Sequence, residues 1–162
     1  MNRSKNKGNS GESKIIIAQN KRALRNFFIL DTYEAGIVLE GCEVKSIRSH
    51  RLNLRDSYGR IKDGQLFLFN MHISPYGKSR TEDINPTRIR KLLMHKREIK
   101  KITQKLIDRS VTLVPLSVYM VKNRVKIEMA LAKGKAGRDK RRDIQDREHE
   151  IEIKRALKNN RF

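Results

Sequence analysis

From Arg124 to Leu131 the chain alternates without a lapse. Val125, Ile127, Met129 and Leu131 take one side, and Arg124, Lys126, Glu128 and Ala130 take the other. A period of two builds a strand with one face in a core and the other wet and, here, basic. With Val111–Val121 before it and Lys122-Asn123 between, the segment forms a hairpin ending at Ala132. A second hairpin runs from Ser57–Ile61 through the turn Asp63-Gly64 into Gln65–Met71. In its second strand Leu66, Phe67, Leu68 and Phe69 lack polar alternation, so both faces are expected to be covered.

Asn26–Asp31 and Ala35–Glu40 are short apolar runs rich in strand formers. Gly41–Arg48 places Val44 and Ile47 three apart and fits one or two helical turns, with Cys42 as a buried, unreactive thiol. Ser74–Pro86 reads as a loop. Ile89, Leu92, Leu93, Ile99, Ile102, Leu106 and Ile107 follow helical spacing, although the first few also suit an extended segment. About six short strands and about three helices make a mainly β fold with helices (α+β). The architecture they suggest is a small closed β-barrel of the oligonucleotide-binding kind, in which closure removes exposed strand edges.

Charge sets the limits of that barrel. The chain has 162 residues, 38 Lys and Arg against 18 Asp and Glu, a net charge of +20, and only 37% hydrophobic residues. That material covers a core of about 100 residues and leaves spare length. Residues 1–22 carry six basic groups and one acid, residues 23–132 carry 21 and 11, and residues 133–162 carry 11 and six. Three parts are expected: a flexible basic arm (1–19), the barrel (20–133), and a basic tail (134–162) that is solvated or folds conditionally. Self-repulsion at +20 calls for an anionic partner. No apolar run exceeds four residues, which argues against a membrane span or a secretory signal. One cysteine excludes an intrachain disulfide and a cysteine-based zinc site.

Enzyme signatures are missing: no phosphate-binding loop, GxGxxG, GxSxG or HExxH occurs. His50, His72, His95 and His149 are scattered, so no catalytic residue, metal or cofactor is assigned. The positive signal is basic. Asn20-Lys21-Arg22 precedes Arg25 and Phe27-Phe28, and Arg88, Arg90, Lys91, Lys96, Arg97, Lys100 and Lys101 face only Glu98 within 14 residues. Such cations either solvate the outside of a core helix or meet phosphates, and seven to one on a +20 chain favours phosphates. Phe27, Phe28, Phe67 and Phe69 are expected in the core, whereas Tyr58 suits either core or base stacking. A rival reading, an RNA-processing enzyme, would use Asp31, Glu34 and Asp56; another is a generic ribosome- or tRNA-associated RNA binder.

Eight blocks then carry a resemblance: NKRALRNFFI (20–29), YEAGIVLEGCEVKSIR (33–48), NLRDSYGRI (53–61), FLFNMHISPY (67–76), RKLLMHKREI (90–99), TLVPLSVYM (112–120), LAKGK (131–135) and DKRRDIQDRE (139–148). In this order they resemble the SsrA-binding protein (small protein B) family of bacterial trans-translation. The resemblance implies a cytoplasmic, non-enzymatic, monomeric protein. Its barrel binds the tRNA-like domain of transfer-messenger RNA, and its tail enters the empty messenger channel of a stalled ribosome, beside the small-subunit decoding centre, and folds there as a helix. Elongation factor Tu takes part through the RNA; no membrane or small-molecule substrate is implied.

Carried over residue by residue, the resemblance assigns RNA contact to Asn20, Lys21, Arg22, Glu34, Leu93, Lys133 and Lys135. For Glu34, orienting neighbouring arginines is an equal alternative, and for Leu93, core packing is. Gly134 is the expected hinge, and Asp139, Lys140, Arg141 and Leu157 belong to the ribosome-facing tail, where Asp139 suits a helix cap. Arg138, Ala136 and Ala156-Leu157 depart from the family pattern.

Overall fold

The alternation at residues 124–131 becomes one arm of the longest hairpin among the described residues. In the computed structural model, residues 14–76 and 85–136 are described. Their elements are β1 (Ile15–Gln19), α1 (Lys21–Asn26), β2 (Phe27–Ile37), α2 (Gly41–Arg48), β3 (Leu52–Asn53), β4 (Tyr58–Lys62), β5 (Gln65–Phe69), β6 (His72–Ile73), β7 (Arg90–Leu93), α3 (Lys96–Lys105), β8 (Val111–Val121) and β9 (Arg124–Gly134). β8 and β9 pair antiparallel from Val111 opposite Lys133 to Val121 opposite Arg124. Lys122 and Asn123 turn the corner with φ of 46° and 63°. Asp63 and Gly64 do the same between β4 and β5 at 51° and 68°. Two successive left-handed residues match the natural twist of a hairpin.

The strands β8-β4-β5-β7-β2-β9 are neighbours in that order, and β9 pairs back onto β8. Six antiparallel strands therefore form a closed ring, with β1 added outside it along β8. β4 meets β8 at one residue pair, Gly59 opposite Leu113. Inside lie Ala35, Ile37, Leu66, Leu68, Leu92, Leu113, Val118, Ile127, Met129 and Leu131. α3 adds Ile102 to this core and borders the β4–β5 turn, while α2 adds Ile47 beside Met71 and Ile73. α1 lies on the outside of the ring, with Ala23 over Val114, Ala130 and Ala132.

One ion pair is wholly internal. Arg90 has no exposed surface, and all five of its N–H groups are used. Nε and Nη2 donate to Glu43 Oε1 at 2.9 and 2.7 Å. Nη1 donates to the carbonyls of Met71 (2.6 Å) and Arg88 (3.0 Å), and Nη2 to that of Pro86 (3.0 Å). Glu43 also accepts from Arg88 and from the Glu40 amide, which caps α2. Burial works to raise the Glu43 pKa, but the hydrogen bonds from Arg88, the Glu40 amide and Arg90 outweigh it and hold the carboxyl below its ordinary range.

Several readings of the sequence need correction. Residues 15–19 are a strand, not part of a flexible arm, because three successive isoleucines gain a hydrogen-bonded edge on β8. The two short runs at 26–31 and 35–40 are one strand, β2, preceded by α1. Thr32, Tyr33 and Glu34 keep the ladder with β9, and an irregularity between Ile29 and Asp31 absorbs the change of register. Arg90–Leu93 are extended rather than helical. The outer side of β9 is not simply wet and basic, since α1 buries Ala130 and Ala132. Phe67 and Phe69 are half-buried on the outside of the barrel, and Cys42 is half-buried in α2. The expectations for residues 1–13, for 77–84 of the loop and for 137–162 lie outside the described residues.

Replacing Arg90 by Met takes two hydrogen bonds from the buried Glu43 carboxylate, which keeps only Arg88 and the Glu40 amide, and leaves the carbonyl partners of Arg90 without its donors. Arg90→Met is expected to lower the unfolding free energy by about 3–5 kcal/mol in urea titrations. The low Glu43 pKa sets the sign of the pH effect: its contribution is full above the ordinary glutamate pKa and is lost as the pH falls through the depressed value. Acid titration of the wild type should therefore show a loss of stability that is smaller in Arg90→Met, where Arg88 and the Glu40 amide alone hold the carboxyl down.

Candidate nucleic-acid interface

At the start of α1, Asn20 is a buried clamp. Its Oδ1 accepts from the Ala23 amide at 3.0 Å, and its Nδ2 donates to the carbonyls of Leu54 and Pro115, both at 3.1 Å. Its backbone N–H reaches Leu116 O at 2.7 Å. The side-chain donors are thus spent within the fold, and the residue holds α1 against β8 and the β3–β4 loop. Lys21 and Arg22, the next two residues, are exposed. Arg22 Nη1 lies 3.2 Å from Asp56 Oδ1, a solvated pair that leaves other guanidinium N–H groups available.

The far end of β9 lies beside α1. Lys133 and Gly134 continue β9 opposite Phe28 and Phe27. The Lys135 amide donates to Asn26 O at 2.8 Å, and its ammonium lies 4.8 Å from the centre of the Phe28 ring. Gly134 is therefore a ladder residue here. Phe28, expected in the core, is 45% exposed and forms with Lys133 and Lys135 a cationic, aromatic patch.

Glu34 and Leu93 form a second group on the outer face of β2 and β7. Glu34 accepts hydrogen bonds from the Tyr119 hydroxyl and the Lys126 ammonium. Burial acts to raise its pKa, but those bonds and the charges of Lys126 and Lys14 hold it below the usual range. Burial, together with the same contact, raises the Tyr119 hydroxyl, whose ring lies 3.6 Å beneath Lys14 Nζ. Glu34 is thus a carboxylate that draws together β2, β8 and β9, and its partners are a tyrosine and a lysine rather than arginines. Leu93 is 53% exposed opposite Gly36. Core packing does not account for it. Six residues of β2 separate Phe28 from Glu34, about 20 Å along an extended strand, so the two groups are distinct ends of one surface.

The cluster at 88–101 divides. Arg88 and Arg90 turn inward to Glu43, because the β7 backbone is extended and points alternate residues into the protein. Lys91, Lys96, Arg97, Lys100 and Lys101 remain exposed. Asp31, Glu34 and Asp56, the acids of the enzymatic rival, each face a different cation: Lys105, Lys126 and Arg22. No group of three metal-ligating side chains forms among the described residues. Asp139, Lys140, Arg141 and Leu157 lie outside those residues. Tyr119 and Lys126 as partners of Glu34 had no local signal in the sequence, since they stand 85 and 92 residues away.

A closed six-stranded barrel with most of its cations outside, one of them beside the exposed ring of Phe28, falls in the class of oligonucleotide-binding-like barrels. The family described as "SmpB protein" matches residues 17–159. An SsrA-binding protein of Halothermothrix orenii is 51% identical over 143 residues, covering 88% of this chain and 92% of its own. That of Syntrophobacter fumaroxidans is 46% identical over 157 residues, covering 97% and 98%. A solved structure described as "tmRNA-SmpB: a journey to the center of the bacterial ribosome" superposes with a TM-score of 0.64 at 41% identity, covering 74% of this chain and 85% of that one. The chain belongs to the SmpB family of SsrA-binding proteins.

The roles of Asn20 and Lys21 separate in stability measurements. Asn20→Ala removes a helix cap and leaves two buried carbonyls without donors, so it should cost about 2 kcal/mol. Lys21→Ala should stay within about 0.5 kcal/mol of wild type by thermal or urea unfolding.

Proposed function

We propose that this protein binds transfer-messenger RNA and acts with it on stalled ribosomes in bacterial trans-translation. The family match across residues 17–159 carries this reading, because it spans the barrel and the basic C-terminal residues alike. The barrel captures the tRNA-like domain through the exposed Lys21, Arg22 and Lys133, the half-buried Lys135 and the outer face around Leu93. Asn20 and Glu34 serve that capture by fixing α1 and the β2–β8–β9 surface. Residues 137–162 act on the ribosome, with Asp139, Lys140, Arg141 and Leu157 in the messenger channel near the decoding centre, where confinement favours a helix. Elongation factor Tu joins through the RNA, and the protein itself makes and breaks no covalent bond. It works as a cytoplasmic monomer without a cofactor. No helix of the described residues is long and apolar enough to cross a membrane.

On this reading the division between capture and accommodation lies beyond Lys135, a placement supported by β9 running through Gly134 and by the Lys135 amide bonding to Asn26. Deleting residues 137–162 is expected to leave affinity for transfer-messenger RNA within about threefold while abolishing peptide tagging in a reconstituted translation system. Lys140→Ala with Arg141→Ala should spare affinity and lower tagging. A truncated chain that tags normally, or one that loses RNA binding, contradicts the division. RNA affinity should also fall steeply with salt, as several lysines and arginines displace condensed counterions.

A further inference from the structure

Between α1 and β4 lies a cleft that shares Arg22 and Asn20 with the capture surface but whose Asn26, Asp56, Tyr58 and Thr112 have no role in that capture. It holds about 390 Å³ and is lined by Arg22, Asn26, Asp56, Ser57, Tyr58 and Thr112 among others. That size lies within the range of small-ligand sites. Its wall is a half-built stack. Tyr58 is 39% exposed, and its ring lies parallel to that of Phe69, with centroids 5.2 Å apart and 7° between planes. Phe69 stands on the β5 side of Tyr58, and the cleft opens on the β8 side. The open face of Tyr58 therefore borders the cleft, where a third flat ring would extend the stack.

The polar lining fits the edge of such a ring. Asp56 accepts from Arg22 through Oδ1, leaving Oδ2 and further lone pairs for N–H groups of a ligand. Asn26 supplies an amide, and Thr112 a hydroxyl, each able to donate or accept. The surroundings select an anionic chain: Arg22 is at the cleft, Lys21 beside it, and Arg60, Lys62 and Lys91 lie exposed on β4 and β7, while β4, β5 and β7 contain no acid.

We propose that the cleft receives one unpaired nucleobase of the bound RNA, stacked on Tyr58, with its N–H edge on Asp56 and the neighbouring phosphate on Arg22. Guanine fits best, because its adjacent N1 and N2 groups offer two donors to one carboxylate. The cleft thus gives the electrostatic capture surface a position at which a single base is read. The proposal rests on the RNA-binding function above and is tested apart from it.

The test uses the full chain and a synthetic RNA comprising the tRNA-like domain of transfer-messenger RNA. Affinities are measured for wild type, Tyr58→Phe and Tyr58→Leu, against the intact RNA and a series with one unpaired nucleotide made abasic at a time. Tyr58→Phe should bind within about twofold of wild type, and Tyr58→Leu about tenfold or more weaker, as expected for loss of one base–aromatic stack. One abasic position should cause a similar loss. Combining it with Tyr58→Leu should add little, because both changes remove the same stack. A role in folding alone gives no such coupling. Equal binding by Tyr58→Leu, or losses that add in full at each abasic position, overturns the proposal. Tighter binding by Tyr58→Leu also overturns it, by showing that the chain's own residues fill the cleft. Wild type that fails to bind the RNA overturns the functional reading itself.

Discussion

Closure of the ring rests on Gly59 opposite Leu113, the one residue pair that joins β4 to β8. A methyl group at residue 59 would stand 2.7 Å from Leu113 Cδ2 and 2.9 Å from Met129 Cε, so glycine gives these two core side chains the room they occupy at the joint. The rest follows from this contact. A chain with 37% hydrophobic residues and a charge of +20 has little apolar surface to bury, and a closed ring encloses it with no ring strand left at an edge. Among the described residues, the lysines and most of the arginines then lie outside. Arg90 is the exception, and its burial is tolerated because Glu43 and three carbonyls satisfy all five donors.

With the ring closed, the outside divides into surfaces of different chemistry. At one end of β2, the end of β9 brings Lys133 and Lys135 beside the exposed Phe28, and α1 presents Lys21 and Arg22. At the other end, Glu34 holds Tyr119 and Lys126, with Leu93 exposed on the neighbouring strand. An acid in a basic surface is no contradiction here: Glu34 ties three strands together and keeps Lys126 in place. Asn20 acts in the same manner on α1. Residues that a motif marks for RNA binding thus include some suited to touch phosphates and some that set the position of those that do.

Local patterns in the sequence were enough for the hairpins. Alternation at 124–131 and the Asp63-Gly64 turn mark strands and turns by themselves, since neighbours in the chain carry the signal, although not that for the register shift between Pro115 and Ser117. Gly41–Arg48 was likewise legible from Val44 and Ile47. What escaped was non-local. Ile15–Gln19 looked like part of a loose arm because its partner strand, β8, lies about a hundred residues on. Arg88 and Arg90 looked like surface cations because the glutamate that draws them inward is 45 and 47 residues earlier. The exposure of Phe28 and Leu93 could not be read from hydrophobicity, which favours a core for both. The eight blocks of family resemblance supplied the function, and the structure supplied the physical division among the residues they contain.

The central claim is that the charge and shape of this barrel select one RNA. Crosslinking the full-length protein to RNA in living bacterial cells and sequencing the recovered fragments tests it most directly. The account predicts that fragments of the tRNA-like domain of transfer-messenger RNA are enriched far above their cellular abundance, with ribosomal RNA recovered chiefly when ribosomes are stalled. Recovery of transfer RNAs and ribosomal RNA in proportion to their abundance, with no enrichment of transfer-messenger RNA, would contradict it.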